Sequence, residues 1–247
     1  MVRSLKQNFG LVNFSMNISF DNTENAFAYK SNKELKKAKF IFATMGKPLL
    51  VKAGLRLTPV ALKIGLPVKG LIRNTIFGQF VGGETLEETS AVVKNLAKYN
   101  VQVILDYGVE GKAGEENFDK ATEEFIEVIR YAATQKNIPF MSVKLTGFSR
   151  FELLEKIDKD SVYDDIIKGK ISMEKLDAEE KSEWERIVAR LRKICQAALE
   201  SNTGVLIDAE ESWIQNSVDA VTTQMMKEFN AEKGVVYNTA QLYRNDR

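Results

Sequence analysis

The chain contains no histidine among its 247 residues. This absence excludes Ser-His-Asp and Cys-His catalytic arrangements, together with the histidine-containing zinc sites that are common in proteins. Any acid, base or cation that acts here must be an aspartate, glutamate, lysine, arginine or tyrosine, or must come from a cofactor. The sequence predicts no metal site.

Cysteine and long apolar runs are equally scarce. The single Cys195 cannot form a disulfide within the chain and is typical of a reducing compartment. It occupies a helical apolar position in "RLRKICQAAL", so we expect it in the core. No run of about 18 apolar residues occurs, and the sequence therefore predicts no membrane-spanning helix.

An excess of one charge is also missing. The 35 basic and 34 acidic residues leave a net charge of +1, which argues against a dedicated nucleic-acid binder. What is present is ordinary for a globular protein, with 44% hydrophobic and 28% charged residues.

The chain divides into three parts by pattern. We expect a disordered leader over residues 1–21, a helical arm over 22–75 and a β/α region over 76–247 with a charged helical insertion at about 158–181. In the arm, Ser31 and Glu34 have capping-box spacing and predict the start of a helix that ends near Gly46.

The β/α region alternates apolar runs with amphipathic segments. Near-continuous apolar strands separated by helices of four turns or more are typical of a parallel sheet. No glycine-rich phosphate loop follows the first strand, which disfavours a doubly wound nucleotide fold and favours a (β/α)8 barrel. About five of its eight units are predicted, with strands at 76–81, 101–107, 138–147, 204–210 and 234–243 and with helices at 84–100, 115–135, from 150, from Ser182 and at 212–230.

Polar residues stand at or just after the ends of the last four predicted strands. They are Asp106, Glu110, Lys144, Asp208 and Gln241. In a (β/α)8 barrel the loops that follow the strands form the active-site face. The pattern therefore predicts a site built from these side chains.

Lys144 is the most informative of them. A lysine late in an apolar strand must meet an anion or lose its proton, and Asp208 on the next strand is a suitable partner. A charged Lys144 would bind a substrate carboxylate, whereas a neutral Lys144 would serve a class I aldolase-like lyase as a Schiff-base nucleophile. A third possibility is a Lys-Asp pair that only joins two strands. The residues alone leave all three open.

Five stretches carry a family resemblance, in the order "FGQFVGGET", "LDYGVEGK", "VKLTGFSRFELLEK", "LIDAEESWIQ" and "NTAQLYRNDR". The chain resembles the proline dehydrogenase family over residues 78–247, and its helices from Asn22 onward are similar to those of single-function bacterial members. The resemblance implies a distorted (β/α)8 barrel that holds FAD noncovalently and oxidises L-proline to Δ1-pyrroline-5-carboxylate. It further implies a membrane quinone as electron acceptor and a cytoplasmic protein peripheral to the inner membrane, or a mitochondrial one in a eukaryote.

The resemblance also implies roles residue by residue. Lys144 would bind the proline carboxylate, and Asp208 would support that lysine and shape the pocket beside the cofactor. Asp106 and Glu110 match the substrate-binding D-Y-x-V-E motif, whose glutamate pairs with a gating arginine in relatives. Gln241 would hydrogen-bond the flavin ring.

The sequence departs from the family after "YRNDR". Relatives continue with an R-x-V-x-G-A-Y strand that contacts FAD and with a helix that supplies two arginines to the proline carboxylate; Arg244 and Arg247 match neither. We therefore expect an open barrel that binds FAD weakly or not at all and has impaired activity alone. The alternative is a noncatalytic fragment that needs self-association or a complementary chain.

Overall fold

The computed structural model describes residues 20–108 and 113–245. All but the last two residues of the predicted leader therefore lie outside the described ranges, as does Glu110. The chain separates into two compact units, Met1–Gln79 and Phe80–Arg247. Within the described ranges, every helix is too short or too polar to span a bilayer.

The first unit is helical. Its helices are α1 (Thr23–Ala26), α2 (Asn32–Met45), α3 (Pro48–Lys63) and α4 (Lys69–Ile72), followed by a π-helical turn (Arg73–Phe77) and α5 (Gly78–Phe80). The capping box predicted at Ser31 is confirmed, because its hydroxyl accepts from the Glu34 amide at 3.3 Å while the Glu34 carboxylate accepts from the Ser31 amide at 2.7 Å. This reciprocal pair fixes the start of α2.

The strand predicted at 76–81 is wrong. The π-helical turn and α5 occupy this segment, and the Gly78 amide donates to the Arg73 carbonyl within it. A short apolar run fits a buried strand and a helix equally well by pattern. Here the backbone groups are satisfied locally instead of by a neighbouring strand.

The second unit alternates strands and helices. Its elements are α6 (Leu86–Ala97), β1 (Ile104–Asp106), α7 (Glu115–Ala133), β2 (Phe140–Lys144), a 3₁₀ turn (Leu145–Gly147), α8 (Phe151–Lys159), α9 (Tyr163–Ile166), α10 (Ala178–Ser201), β3 (Gly204–Asp208), α11 (Gln215–Phe229) and β4 (Val236–Asn238). The start predicted for α10 at Ser182 is wrong. Asp177 caps the helix earlier, because its carboxylate accepts from the Glu180 amide at 2.9 Å.

The described strands form one parallel sheet in the order β1-β2-β3-β4. Chain order equals spatial order, and every crossover contains at least one helix, as in a β/α barrel. The predicted fold class is confirmed as an α/β fold of the incomplete (β/α)8-barrel type. Four strands form where five were predicted, and β1 and β4 are the edges of the described sheet.

One face of the sheet packs against the helices. Here α7 lies on β2, α10 on β3 and α11 on β4. Alternate strand residues point to this helix-side face, and they are Leu105, Met141, Val143, Val205, Ile207 and Val236, all buried. The amphipathic helix predicted at 115–135 forms as α7, and its apolar stripe, Phe118, Phe125, Val128, Ile129 and Ala132, is buried in the same core.

The opposite face, here called the inner face, is partly open. Ile104 on it is 52% exposed, and Phe140 and Leu206 are only half-buried. The rings of Phe140 and Tyr237 meet edge to face across Gly204, with their centroids 5.4 Å apart. A Cβ on Gly204 would lie 2.4 Å from the Phe140 ring, so glycine is required for this contact. In a closed barrel this face would line the interior.

Candidate active site

The candidate site lies at the carboxyl end of the inner face. Lys144 ends β2 and is in register with Asp208 at the end of β3. Asp106 ends β1 and is in register with Ser142, two residues before Lys144. Because strand side chains alternate between faces, Lys144, Asp208 and Asp106 all belong to the inner face.

The Lys144 ammonium lies among three carboxylates. Its Nζ is 3.0 Å from Glu210 Oε1, 3.9 Å from Asp106 Oδ2 and 4.0 Å from Asp208 Oδ2. We call these four residues the lysine cluster. The structure thus brings together Lys144, Asp208 and Asp106 as the sequence predicted, although Asp208 is the most distant of the three acids.

Glu210 was missed by the sequence analysis, yet it makes the shortest contact with Lys144. The signal was present in "LIDAEES", because Asp208 and Glu210 are two residues apart. An extended backbone puts such residues on the same side. The alternation therefore indicates Glu210 as a further site residue beside Asp208.

The charges of the cluster bear on the role of Lys144. Three carboxylates within 4.0 Å stabilise an ammonium group in its positive form. A Schiff-base nucleophile must instead be a neutral amine. The arrangement therefore favours a charged lysine and disfavours the aldolase-like alternative.

A cavity of about 260 Å³ adjoins the cluster. Lys144, Asp208 and Glu210 supply charged walls, while Phe151 and Ile214 are among its apolar walls. This volume is just below the usual range for drug-sized ligands and suits a small molecule. A ligand with an apolar ring and charged groups matches both kinds of wall.

Gln241 follows β4 in the chain and lies close to the end of β3. Its side chain is 3% exposed, and its Nε2 donates to the Ala209 carbonyl at 3.0 Å. Its Oε1 is buried without a hydrogen-bond partner among the described residues. The segment around it is tied to the end of β3, because the Thr239 hydroxyl donates to the Ile207 carbonyl at 2.9 Å. Gln241 is thus held in place with one acceptor unused.

Tyr107 follows Asp106 and has a different environment. Its hydroxyl donates to the Glu124 carboxylate at 2.5 Å. This hydrogen bond, together with burial, raises the pKa of Tyr107 to about 12. Tyr107 therefore stays protonated at neutral pH and cannot act as a base. Glu110, the remaining predicted site residue, lies outside the described ranges.

A sequence profile described as "Proline dehydrogenase" matches residues 89–247. That is well over half of the chain. The chain belongs to the proline dehydrogenase family. The matched region includes every strand of the sheet, the lysine cluster and Gln241.

Relatives of the family are similar over most of the chain. "Carbapenem antibiotics biosynthesis protein CarD" of Pectobacterium carotovorum subsp. carotovorum is 30% identical over 179 residues, covering 72% of this chain and 44% of that protein. "Proline dehydrogenase 1, mitochondrial" of Dictyostelium discoideum is 31% identical over 207 residues, covering 73% and 36%. The chain therefore spans less than half the length of these two relatives.

A solved structure is also similar, the proline utilization A protein (PutA) of Bdellovibrio bacteriovorus inactivated by N-propargylglycine. The identity is 19% and the TM-score 0.42, covering 65% of this chain and 16% of that one.

Proposed function

We propose that the lysine cluster binds L-proline for FAD-dependent oxidation to Δ1-pyrroline-5-carboxylate. The observation that carries this proposal is a charged lysine at the carboxyl end of the inner face, in a chain of the proline dehydrogenase family. Zwitterionic L-proline presents a carboxylate, a cationic nitrogen and an apolar ring. Among the described residues, the Lys144 ammonium is a partner for the carboxylate, the carboxylates of the cluster are partners for the nitrogen, and the apolar cavity walls suit the ring.

The cluster residues have distinct proposed roles. The Lys144 ammonium binds the carboxylate of L-proline, and Asp208, Glu210 and Asp106 hold the ammonium group in position. Oxidation removes a hydride from the ring carbon beside nitrogen and a proton from nitrogen, which leaves a C=N double bond. One of the three carboxylates can hold that proton, since no histidine exists to do so.

Two residues are proposed to contact FAD. The unused Oε1 of Gln241 can accept a hydrogen bond from an N–H group of the flavin ring. Asp208 lines the cavity beside the lysine cluster and would lie near the bound cofactor. FAD, when bound, supplies the acceptor for the hydride. Because the inner face is partly open to solvent, we expect weak FAD affinity unless more protein covers that face, from self-association or a complementary chain.

The wider setting is proposed from the family alone. We infer a membrane quinone as the acceptor of the electrons, and a cytoplasmic protein peripheral to the inner membrane, or a mitochondrial one in a eukaryote. We also propose a division of the chain into a helical arm over residues 22–75 and a barrel region over residues 76–247, with 158–181 as an insertion. The start of the sequence profile at residue 89 supports treating the arm as a separate segment.

Calorimetric titration tests the binding step without the cofactor. L-proline and pyrrolidine, which lacks the carboxylate, are each titrated into the unmodified chain and into Lys144→Met. A hydrogen bond to a charged group contributes about 1.5–3 kcal/mol, so Lys144→Met should weaken L-proline binding roughly 10- to 150-fold. Pyrrolidine affinity should not fall, because its cationic nitrogen binds the carboxylates and not Lys144. Equal loss of both ligands, or no loss of L-proline binding, would contradict the role of Lys144.

A further inference from the structure

Glu210 contacts Lys144 differently from the two aspartates of the lysine cluster. Its Oε1 accepts a hydrogen bond from Lys144 Nζ at 3.0 Å. Asp106 Oδ2 and Asp208 Oδ2 are 3.9 and 4.0 Å from the same nitrogen, which is beyond hydrogen-bond length. Of the three carboxylates in the cluster, Glu210 is therefore the one that occupies a donor of the ammonium group.

The backbone of Glu210 is fixed although its side chain is exposed. The Tyr243 hydroxyl donates to the Glu210 carbonyl at 2.8 Å, and Gln241 Nε2 donates to the Ala209 carbonyl at 3.0 Å. These two hydrogen bonds hold the loop after β3 in place. The Glu210 side chain is 72% exposed, and several rotatable bonds separate its carboxylate from the backbone. The carboxylate can therefore turn away from Lys144 while the loop stays where it is.

A carboxylate of a ligand must compete with Glu210 for Lys144. The cluster already has three carboxylates for one ammonium, so a further anion is repelled unless one of them makes room. Asp208 is less free to move, because its side chain is only 33% exposed and its Oδ1 also accepts from the Thr239 hydroxyl at 3.4 Å. The direct contact and the exposure of Glu210 make it the acid that a ligand displaces.

We propose that Glu210 is a specificity residue that changes partners when a ligand binds. Its carboxylate stands where the carboxylate of a ligand would meet Lys144. The ligand carboxylate replaces it there, and the released Glu210 pairs with the cationic nitrogen of the same ligand. Asp106 and Asp208 keep the ammonium in position throughout.

This exchange rests on the proposed function for the location of the bound ligand, and it names the class of compound that the site selects. A ring compound that carries both a carboxylate and a cationic nitrogen completes the exchange. A ligand with only one of these charges completes half of it. The site therefore discriminates by the pair of charges as well as by the apolar ring.

Calorimetric titration of the chain and of Glu210→Gln tests the exchange. The ligands are L-proline, cyclopentanecarboxylate, which lacks the nitrogen, and pyrrolidine, which lacks the carboxylate. An exposed ion pair contributes little, so each shift in affinity should be about 2- to 5-fold. Cyclopentanecarboxylate should bind the variant more tightly, because its competitor is weakened. Pyrrolidine should bind more weakly, because an anionic partner is lost. L-proline should change less than either, since it experiences both effects.

Two further variants separate the contact from the charge. Glu210→Asp keeps the charge but shortens the side chain by one methylene, so the carboxylate no longer reaches Lys144 from the fixed backbone. We expect cyclopentanecarboxylate to bind more tightly to this variant as well. Glu211→Gln is the matched control, because it removes the same charge from the next residue of the loop, which also lines the cavity. It should shift the affinities less than Glu210→Gln does.

Three results would overturn the exchange. Equal shifts in Glu210→Gln and Glu211→Gln would reduce the role of Glu210 to its charge. Unchanged cyclopentanecarboxylate affinity in both Glu210 variants would show that the ligand does not displace it. Weaker binding of all three ligands by Glu210→Gln, at an unchanged urea midpoint, would make Glu210 a fixed part of the site.

The proposed oxidation fails in a different way. The expected shifts for cyclopentanecarboxylate and pyrrolidine, in a chain that does not oxidise L-proline, would support the exchange and contradict the oxidation. If none of the three ligands binds the unmodified chain, the exchange and the proposed binding of L-proline are both wrong.

Discussion

The two faces of the four-stranded sheet differ although the same strands supply both. The helix-side face consists of fully apolar residues buried under α7, α10 and α11. The inner face mixes apolar and charged residues and stays partly exposed. Because side chains alternate along each strand, one residue packs in the core under the helices while the next lies on the face that carries the candidate site.

The largest loss of stability is expected when a buried side chain on the helix-side face is shortened. Ile207→Ala removes a fully buried side chain between β3 and the helices, and such deletions cost roughly 2–5 kcal/mol. Leu206→Ala, one residue earlier on the inner face, should cost less than half as much because Leu206 is only half-buried. Urea denaturation of both variants measures the contrast. Equal losses would show that the two faces are equally packed.

Gly204→Ala tests the packed part of the inner face. The new methyl would lie 2.4 Å from Cδ1 and 2.6 Å from Cε1 of Phe140 and 3.3 Å from Tyr237, all under ordinary contact distance. Overpacking of this kind typically costs about 1–3 kcal/mol. Adding Phe140→Leu should restore part of the loss in the urea midpoint. If the single substitution is neutral, the Phe140–Tyr237 contact does not constrain this face.

These contrasts show what the sequence could predict. Four strands, the helices between them and the apolar stripe of α7 followed from periodicity, because burial on one face imposes a regular pattern. The segment at 76–81 could not be assigned, because a short apolar run has no periodicity to distinguish strand from helix. The early start of α10 was missed because its first residues lie in the charged segment predicted as an insertion at about 158–181, although Asp177 and Glu180 have capping-box spacing.

The candidate site was predicted only in part. Asp106, Lys144 and Asp208 were found because each ends an apolar strand. Glu210 was missed because only Asp208 was taken from this strand end, although alternation places Glu210 on the same side as Asp208. The unused acceptor of Gln241 depends on three-dimensional packing.

A smaller loss of stability is expected when an ion pair between α7 and α10 is removed. Glu115 at the start of α7 accepts from Arg190 at 2.5 Å and from Arg186 at 2.8 Å. Burial alone would raise the pKa of Glu115, but the hydrogen bonds and charges of these arginines outweigh it and lower the pKa below 4.5. The charged form therefore stabilises the fold above pH 4.5, and this stability is lost as the pH falls through the lowered pKa.

Glu115→Gln measures that contribution. At neutral pH the variant should be less stable by under about 1 kcal/mol, because the carboxylate is substantially solvent-screened. The difference should shrink as the pH falls below 4.5. Thermal melts at pH 7 and pH 3.5 check the direction. A difference that grows in acid would contradict the assigned shift.

The smallest effect on stability, and a large one on function, is expected from Lys144→Met. The three carboxylates around Lys144 are at least one-third exposed, so removing the cation should change the urea midpoint little. The decisive measurement is L-proline-dependent reduction of a dye by this variant and by the unmodified chain, with FAD in excess, beside the urea midpoints of both. We predict at least a 10-fold loss of kcat/KM with the midpoint nearly unchanged. Unimpaired dye reduction by Lys144→Met, or no L-proline-dependent reduction by the unmodified chain, would contradict the assignment of the inner face to proline oxidation.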